Sequence, residues 1–239
     1  MTGTGERIPK IIHYCWFGGT KKPDLVKQSI ESWKVHLPHF VIKEWSESNF
    51  DWKAHPFSKR MYETKKWAFV ADYARLEILS KYGGVYLDTD MLIVKDITPL
   101  LDCELLLGKE SETVVSGGMI GAIPRHPFIE ACRNRYETMQ GLPTTIPRLL
   151  TEVYKEMRPS LSHVTVCDPD TFYPYSPETI SRYGKELLPE ATYGVHLWNY
   201  SWGHPVLRAA NKLPIYHSAK KLLNTLGLKR MLKKILGLS

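Results

Sequence analysis

From Ile8 to Phe17 the chain reads Ile-Pro-Lys-Ile-Ile-His-Tyr-Cys-Trp-Phe, a β-branched and aromatic run stopped by Gly18-Gly19. Such a run predicts a buried strand. Leu25, Val26, Ile30 and Trp33 then recur at helical spacing between Pro23, suited to a first helical turn, and Pro38, which ends the segment. A second strand is expected from Phe40 to Trp45. Residues 57 to 82 carry the longest helical pattern, in one piece or two, with Ala68, Phe69, Ala71, Leu76, Ile78 and Leu79 on its apolar side and Gly83-Gly84 as its stop. Val85-Tyr86-Leu87 begins a third strand. Strand, helix, strand, helix, strand is the βαβαβ order of a parallel, Rossmann-like sheet with crossover helices. Beyond Pro99 the pattern predicts strands at 104–108, 114–123, 164–167 and 192–198 and helices at 127–139 and 145–157. The fold class expected is α/β with a mixed C-terminal extension, and neither a repeat nor a Pro/Ser-rich linker divides it.

Composition narrows this picture only slightly. In 239 residues, hydrophobic residues at 43% and charged residues at 24% are ordinary globular values, which exclude a collagen-like, disordered or coiled-coil chain. No apolar run reaches the length of a membrane span, and the opening Met-Thr-Gly-Thr-Gly-Glu-Arg has no apolar signal core. Cys15, Cys103, Cys132 and Cys167 are widely spaced, without the pairing of a zinc site or disulfide framework. A reducing cytoplasm is the compartment these features predict.

Charge is more informative. The net +7 is concentrated after Ala191, where eight basic residues (Arg208, Lys212, Lys220, Lys221, Lys229, Arg230, Lys233, Lys234) face no acidic one. At 100° per residue, Ala219, Leu222, Leu223 and Leu226 share one face and Leu228, Met231, Leu232 and Ile235 another, with Gly227 at the slip. We read residues 218–239 as a basic amphipathic tail of two short helices behind a catalytic domain of residues 1–217. Such a tail suits an anionic membrane surface; the alternative is a helix pair packed on the body with solvated lysines.

The sharpest chemical feature is Asp88-Thr89-Asp90, directly after the third strand. Ligands bind beyond the carboxyl ends of strands in open parallel sheets, and two carboxylates there make a hard-oxygen site for Mn²⁺ or Mg²⁺ bridging a diphosphate. Asp72 and Arg75 lie three apart on the long helix, beside its apolar stripe, where a solvated pair is not expected. They suit a donor pocket, Asp72 accepting sugar hydroxyls and Arg75 clamping oxygens. A buried structural ion pair is the competing reading.

Ile8-Pro-Lys-Ile-Ile-His-Tyr-Cys-Trp-Phe-Gly, Ala71-Asp-Tyr-Ala-Arg75 and Tyr82-Gly-Gly-Val-Tyr-Leu-Asp-Thr-Asp90 together resemble the Asp-x-Asp sugar transferases of glycosyltransferase family 32. The resemblance returns at Thr192-Tyr-Gly-Val-His-Leu-Trp-Asn-Tyr-Ser-Trp202. That family includes yeast Golgi α-mannosyltransferases and bacterial capsule and O-antigen transferases, and is similar at its site to the large clostridial glucosylating toxins. The resemblance implies a GT-A fold, a nucleotide-sugar donor, a divalent metal (Mn²⁺ or Mg²⁺) and retention of anomeric configuration. Carried over by position, it implies that Trp16 stacks on the nucleobase, with Asn49 near it. Asp72 and Arg75 hold the donor sugar, Tyr86 lines the pocket, and Asp88 and Asp90 serve ribose and metal. His196 adds a metal ligand, with Trp198, Ser201 and Trp202 near the diphosphate. Val115-Ser-Gly-Gly-Met119 departs from the pattern, having no Asn where relatives place one over the donor. By residue type alone, Trp16 can equally be a core aromatic and His196 a satisfied interior histidine.

The expected function is transfer of a sugar, UDP-linked, to a glycan acceptor, lipid-linked in capsule, O-antigen or exopolysaccharide synthesis. The enzyme would lie on the inner face of the plasma membrane and bind no nucleic acid. Two rivals predict otherwise. A haloacid-dehalogenase-like phosphohydrolase also opens on Asp-x-Asp after a strand, and would need Asp168-Pro-Asp170 as its late acidic motif. A non-catalytic basic membrane adaptor would use the tail alone.

Overall fold

A computed structural model describes residues 7–137, 139, 144–184 and 186–199. Ser201, Trp202 and the amphipathic tail at 218–239 lie outside the described residues.

The first half follows the expected order: β1 (Ile11–Cys15), α1 (Asp24–His36), β2 (Val41–Trp45), α2 (Pro56–Glu63), α3 (Trp67–Tyr82) and β3 (Gly84–Leu87). The long helical pattern is two helices. Pro56 opens α2 at its first turn, where a missing N–H costs nothing, and His55 caps it by accepting from the Phe57 N–H at 3.2 Å. β1 pairs in parallel with β2 on one side and β3 on the other. The strand order therefore reverses at β1, and the carboxyl ends of β1 and β3 open onto a crevice.

Gly83-Gly84 does more than end a helix. Both have φ in the left-handed region, at 60° and 100°, and a Cβ on Gly84 would lie 2.7 Å from the Ile11 carbonyl oxygen. Only glycine lets α3 turn straight into a strand lying this close to β1.

The second half comprises β4 (Met91–Ile93), β5 (Leu105–Ser111), β6 (Val114–Ala122), α4 (Pro127–Asn134), α5 (Ile146–Met157), β7 (Val164–Cys167), α6 (Pro169–Phe172) and β8 (Gly194–His196). The main sheet runs β2-β1-β3-β6-β5-β7, with β6 antiparallel to both neighbours and β7 parallel to β5. It is the mixed extension expected. The sequence pattern did not give β4, three residues that pair antiparallel with β8 in a separate two-stranded ribbon.

The sheet carries core on both faces, as period-two alternation requires. On β3, Tyr86 packs into the cluster beneath α2, α3, α4 and α5, while Val85 and Leu87 face Trp33 and Leu37 of α1. α3 departs from its expected single stripe. Val70, Ala74, Leu76, Ile78 and Leu79 are all buried, and so are Asp72 and Arg75, because the helix lies between the sheet and the helices α2 and α4.

Candidate active site

A cleft of about 790 Å³ opens at the carboxyl ends of β1 and β3. Its lining includes the aromatic residues Trp16, Phe17, Trp67 and Phe69, the polar group of Asp72, Arg75, Asp88, Asp90, Glu110 and His196, the rings of Tyr86 and Trp198, and the first turns of α5.

Arg75 is the hinge of the polar group. Its guanidinium reaches Asp72 Oδ1 at 2.8 Å and Asp88 Oδ1 at 3.3 Å, donates to the Gly117 carbonyl at 2.5 Å, and lies 4.4 Å from the centre of the Tyr86 ring. Only 4% of it is exposed, so a buried charge is matched by two carboxylates and oriented by a carbonyl and a ring. Burial pushes the Asp72 carboxyl up to about 7 against the pull of Arg75, and nearby Asp88 adds to the rise. For Arg75, burial favours the neutral form, but Asp88, Tyr86 and Asp72 outweigh it and hold the guanidinium firmly charged. Asp88 also accepts from the Tyr86 hydroxyl at 3.2 Å, and its own N–H donates to the Gly118 carbonyl at 2.8 Å.

Asp90 is held from the other direction. The β4–β8 ribbon places His196 opposite Met91, which brings the imidazole Nε2 to 3.2 Å from Asp90 Oδ1. The N–H of Asn199 donates to Asp90 Oδ2 at 2.7 Å. Burial works against ionisation of Asp90, yet His196 and that N–H outweigh it and keep the carboxyl below its ordinary range. His196 moves oppositely: burial lowers its proton affinity, but Asp90, Asp88 and Glu110 together raise it above the usual value. The same negative potential that raises the proton affinity of His196 draws a cation.

Asp88, Asp90 and His196 each offer a ligand atom, and all three atoms lie within 4.8 Å of one another. Two carboxylates and one imidazole form a donor set fitted to a divalent cation of the Mn²⁺ or Mg²⁺ kind. His196 Nδ1 is buried without a hydrogen-bond partner among the described residues, which is unlike an interior histidine held at both ring nitrogens.

Trp16 is half-buried on the cleft wall, its indole N–H donating to the Thr20 carbonyl at 2.7 Å. That placement favours a ligand-facing ring over a core one. Trp198 has a left-handed backbone, φ 53°, and its indole donates to the Tyr175 carbonyl at 2.7 Å, so the ring stands 4.4 Å from that of His196. A non-glycine residue in this conformation costs on the order of 1 kcal/mol and persists only where its surroundings impose it. Asn49 is exposed and does not line this cleft; its amide closes the turn after β2, accepting from Ser46 N at 2.9 Å and donating to Glu44 O at 2.8 Å.

Ser116, Gly117 and Gly118 entered the sequence reading only as the segment lacking an Asn over the donor, and Glu110 did not enter it. A Cβ on Gly118 would lie 3.2 Å from Asp88 Oδ2 and 3.3 Å from His196 Cδ2. Two glycines inside a strand were the available signal, since they mark a close approach to the backbone. Glu110 left none.

Three comparisons bear on this arrangement. Residues 23–107 match the family described as "Glycosyltransferase sugar-binding region containing DXD motif". The chain is 29% identical over 178 residues to a lactosylceramide 4-alpha-galactosyltransferase of Mus musculus, covering 65% of this chain and 47% of that protein. It is also 29% identical over 170 residues to an alpha-1,4-N-acetylglucosaminyltransferase of Homo sapiens, covering 62% and 48%. The chain spans about half the length of these relatives. Among solved structures, a PaToxG glycosyltransferase superposes with a TM-score of 0.53 at 18% identity, over 65% of this chain and 72% of that one. The fold is the GT-A glycosyltransferase fold. Asp88 and Asp90 fall within the matched sugar-binding region, whereas His196, Trp198 and Glu110 lie beyond it.

Proposed function

We propose that this chain is a retaining, divalent-metal-dependent glycosyltransferase that moves a hexose from a UDP-linked donor to a sugar on a glycolipid or other lipid-linked glycan. The observation that carries this reading is the convergence of Asp88, Asp90 and His196 at the end of β3, beside Arg75. Galactose and N-acetylglucosamine, the sugars in the relatives' names, are the first donors to try. A lipid-linked acceptor is supported by the ceramide in one name and by the basic tail. Capsule, O-antigen or exopolysaccharide synthesis, on the inner face of the plasma membrane, rests on the sequence resemblance alone. Among the described residues no helix is long and apolar enough to cross a membrane.

The residues divide the work. Trp16, with Trp67 and Phe69, forms an apolar wall for a planar nucleobase. Asp88, Asp90 and His196 would hold the cation, which when bound supplies Lewis-acid neutralisation of a diphosphate leaving group. Arg75 stands ready-oriented beside them, adding a fixed positive charge where negative charge develops. Asp72, pinned to Arg75, presents a carboxyl to sugar hydroxyls. The aromatic walls of the cleft exclude water from the reacting bond. Attack from the face the diphosphate leaves, with that diphosphate taking the acceptor proton, gives retention.

The phosphohydrolase reading lacks its late acidic motif at the site. Asp168 is exposed and pairs with Lys109 at 3.1 Å, and neither it nor Asp170 lines the cleft. The deciding experiment incubates the protein with UDP-galactose, UDP-N-acetylglucosamine, UDP-glucose and GDP-mannose, each with Mn²⁺, Mg²⁺ or chelator, and measures nucleotide release. One UDP-sugar should be hydrolysed only with metal. Turnover of p-nitrophenyl phosphate instead would overturn the proposal. Truncation after His217 should leave that hydrolysis largely intact while abolishing salt-sensitive binding to anionic vesicles.

A further inference from the structure

The main sheet is irregular at one place. Leu107 on β5 stands opposite Ile120 on β6, but Lys109 stands opposite Val115, so two steps along β5 correspond to five along β6. Ser116–Met119 therefore leave β5 and turn to β3 and α3: Gly117 O takes the Arg75 guanidinium, Gly118 O takes the Asp88 N–H, and Met119 pairs with Leu87. Bulges of this kind re-aim side chains and gather next to active sites. A second shift follows, in which Lys109 and Ser111 stand opposite Val115 and Val114, and the residue between them on β5 is Glu110, which lines the cleft.

Glu110 is an odd residue to find there. It is half-buried, and among the described residues it makes no ion pair with a lysine or arginine, whereas its neighbour Lys109 is paired with Asp168. Its polar surroundings are the Ser116 hydroxyl and the charges of His196 and Asp88, and burial raises its proton affinity. Close by, the Tyr173 hydroxyl is buried, with no partner at hydrogen-bond distance among the described residues and the Ser116 hydroxyl near; it would stand 3.0 Å from a Cβ on Gly118, and the charge of Glu110 reaches it. A cleft carboxylate with no lysine or arginine partner among the described residues, near a buried phenol behind Gly118, is a half-satisfied group that a fold retains for a ligand or water.

The charge of Glu110 tells which ligand. Near Asp88 and His196 but outside the three groups that would hold the cation, a further carboxylate repels a diphosphate, which argues against a role on the donor's phosphates. A sugar hydroxyl, which both donates and accepts, matches a carboxylate and a phenol together. The first turn of α5 adds Ile146 and Pro147 to the same cleft, an apolar surface for the C–H face of a pyranose, with Thr145 beside them.

We propose that Glu110, backed by Tyr173, forms the acceptor subsite and holds a hydroxyl of an uncharged sugar. The inference rests on the transferase reading. In the transfer the bond from the anomeric carbon to the β-phosphate oxygen breaks, a bond to the acceptor oxygen forms, and the acceptor proton passes to the departing diphosphate. Glu110 orients the acceptor and remains unchanged.

The test uses the full chain, the UDP-sugar it hydrolyses, Mn²⁺, and a panel of p-nitrophenyl galactosides, glucosides, mannosides and N-acetylglucosaminides, with the glucuronide as a charged comparison. In Glu110→Gln the ratio of transfer to hydrolysis should fall at least tenfold through a raised acceptor KM. The glucuronide should gain relative to the glucoside, because the repelling charge is gone. Glu110→Asp should recover part of the loss. An equal fall of transfer and hydrolysis would assign Glu110 to donor or metal, and an unchanged ratio would remove it from the acceptor site. Donor hydrolysis without transfer to any neutral glycoside would overturn the sugar class. Absence of donor hydrolysis in the unmodified protein would instead sink the transferase reading itself.

Discussion

Two histidines, His13 in the main sheet and His196 in the β4–β8 ribbon, are driven in opposite directions. His13 on β1 accepts from the Trp45 indole at Nδ1 (3.1 Å), and its Nε2 lies 2.9 Å from the Gly83 carbonyl, which fixes the neutral tautomer. Burial, abetted by Lys43 against the Gly83 bond, pushes its pKa down to about 4. His196 on β8 faces Asp90, with Asp88 and Glu110 near, and goes up despite being buried. Both nitrogens of His13 are used, whereas Nδ1 of His196 has no partner among the described residues. One histidine is a strut between strands that helps to aim the Gly83-Gly84 turn. The other sits in a well of negative charge with spare coordination. Burial alone does not mark a functional histidine; what surrounds it does.

Substitutions sharpen this contrast between a supporting first half and a cation-seeking centre. The largest effect is expected at the two carboxylates. Asp88→Asn and Asp90→Asn should each cut metal-dependent turnover about a thousandfold or more, roughly 4 kcal/mol of transition-state stabilisation, with Tm little changed. Near-normal rates at saturating Mn²⁺ would remove them from the metal site.

Arg75→Ala crosses the boundary between the two roles. It strands Asp72 and Asp88 in a buried setting and should cost about 3 to 5 kcal/mol of stability as well as activity. Denaturant unfolding measures the first and nucleotide release the second. If Arg75→Lys restores stability without activity, the charge supports the fold and the guanidinium geometry serves the donor. Full activity in Arg75→Lys would reduce the residue to a point charge.

His196→Ala should weaken Mn²⁺ affinity about 10- to 100-fold, the scale on which metal-site residues act, as read by metal titration of donor hydrolysis. His13→Ala should leave that titration unmoved and lower Tm instead. Were the two to behave alike, the opposite environments would carry no functional meaning. The smallest effect is expected at Trp16→Ala, a loss of about 1 to 3 kcal/mol in UDP binding, the scale of one base stacked on one ring. Unchanged affinity by calorimetry would return Trp16 to a purely structural place.

How much of this was legible depends on the range over which each interaction acts. The β1–α1–β2–α2–α3–β3 order, the Gly83-Gly84 turn, the strand-end position of Asp88 and Asp90, and the proximity of Asp72 to Arg75 were determined by the sequence itself. Each rests on a local period, a backbone requirement or a three-residue helical spacing, and such rules act within a few residues. The resemblance carried the later segment containing His196 and Trp198, but no local rule places His196 beside Asp90. That pairing belongs to the β4–β8 ribbon, whose first strand is too short to show alternation and whose partner lies a hundred residues on. Asn49 read as a site residue, and a turn after β2 engages its amide, which only the folded loop reveals. Glu110 is the clearest case: it fell between the strands expected at 104–108 and 114–123, whereas β5 runs on to Ser111 with a register shift at Glu110, which lines the cleft. Register is a property of two chain segments together, so one sequence run read alone has no means of specifying it.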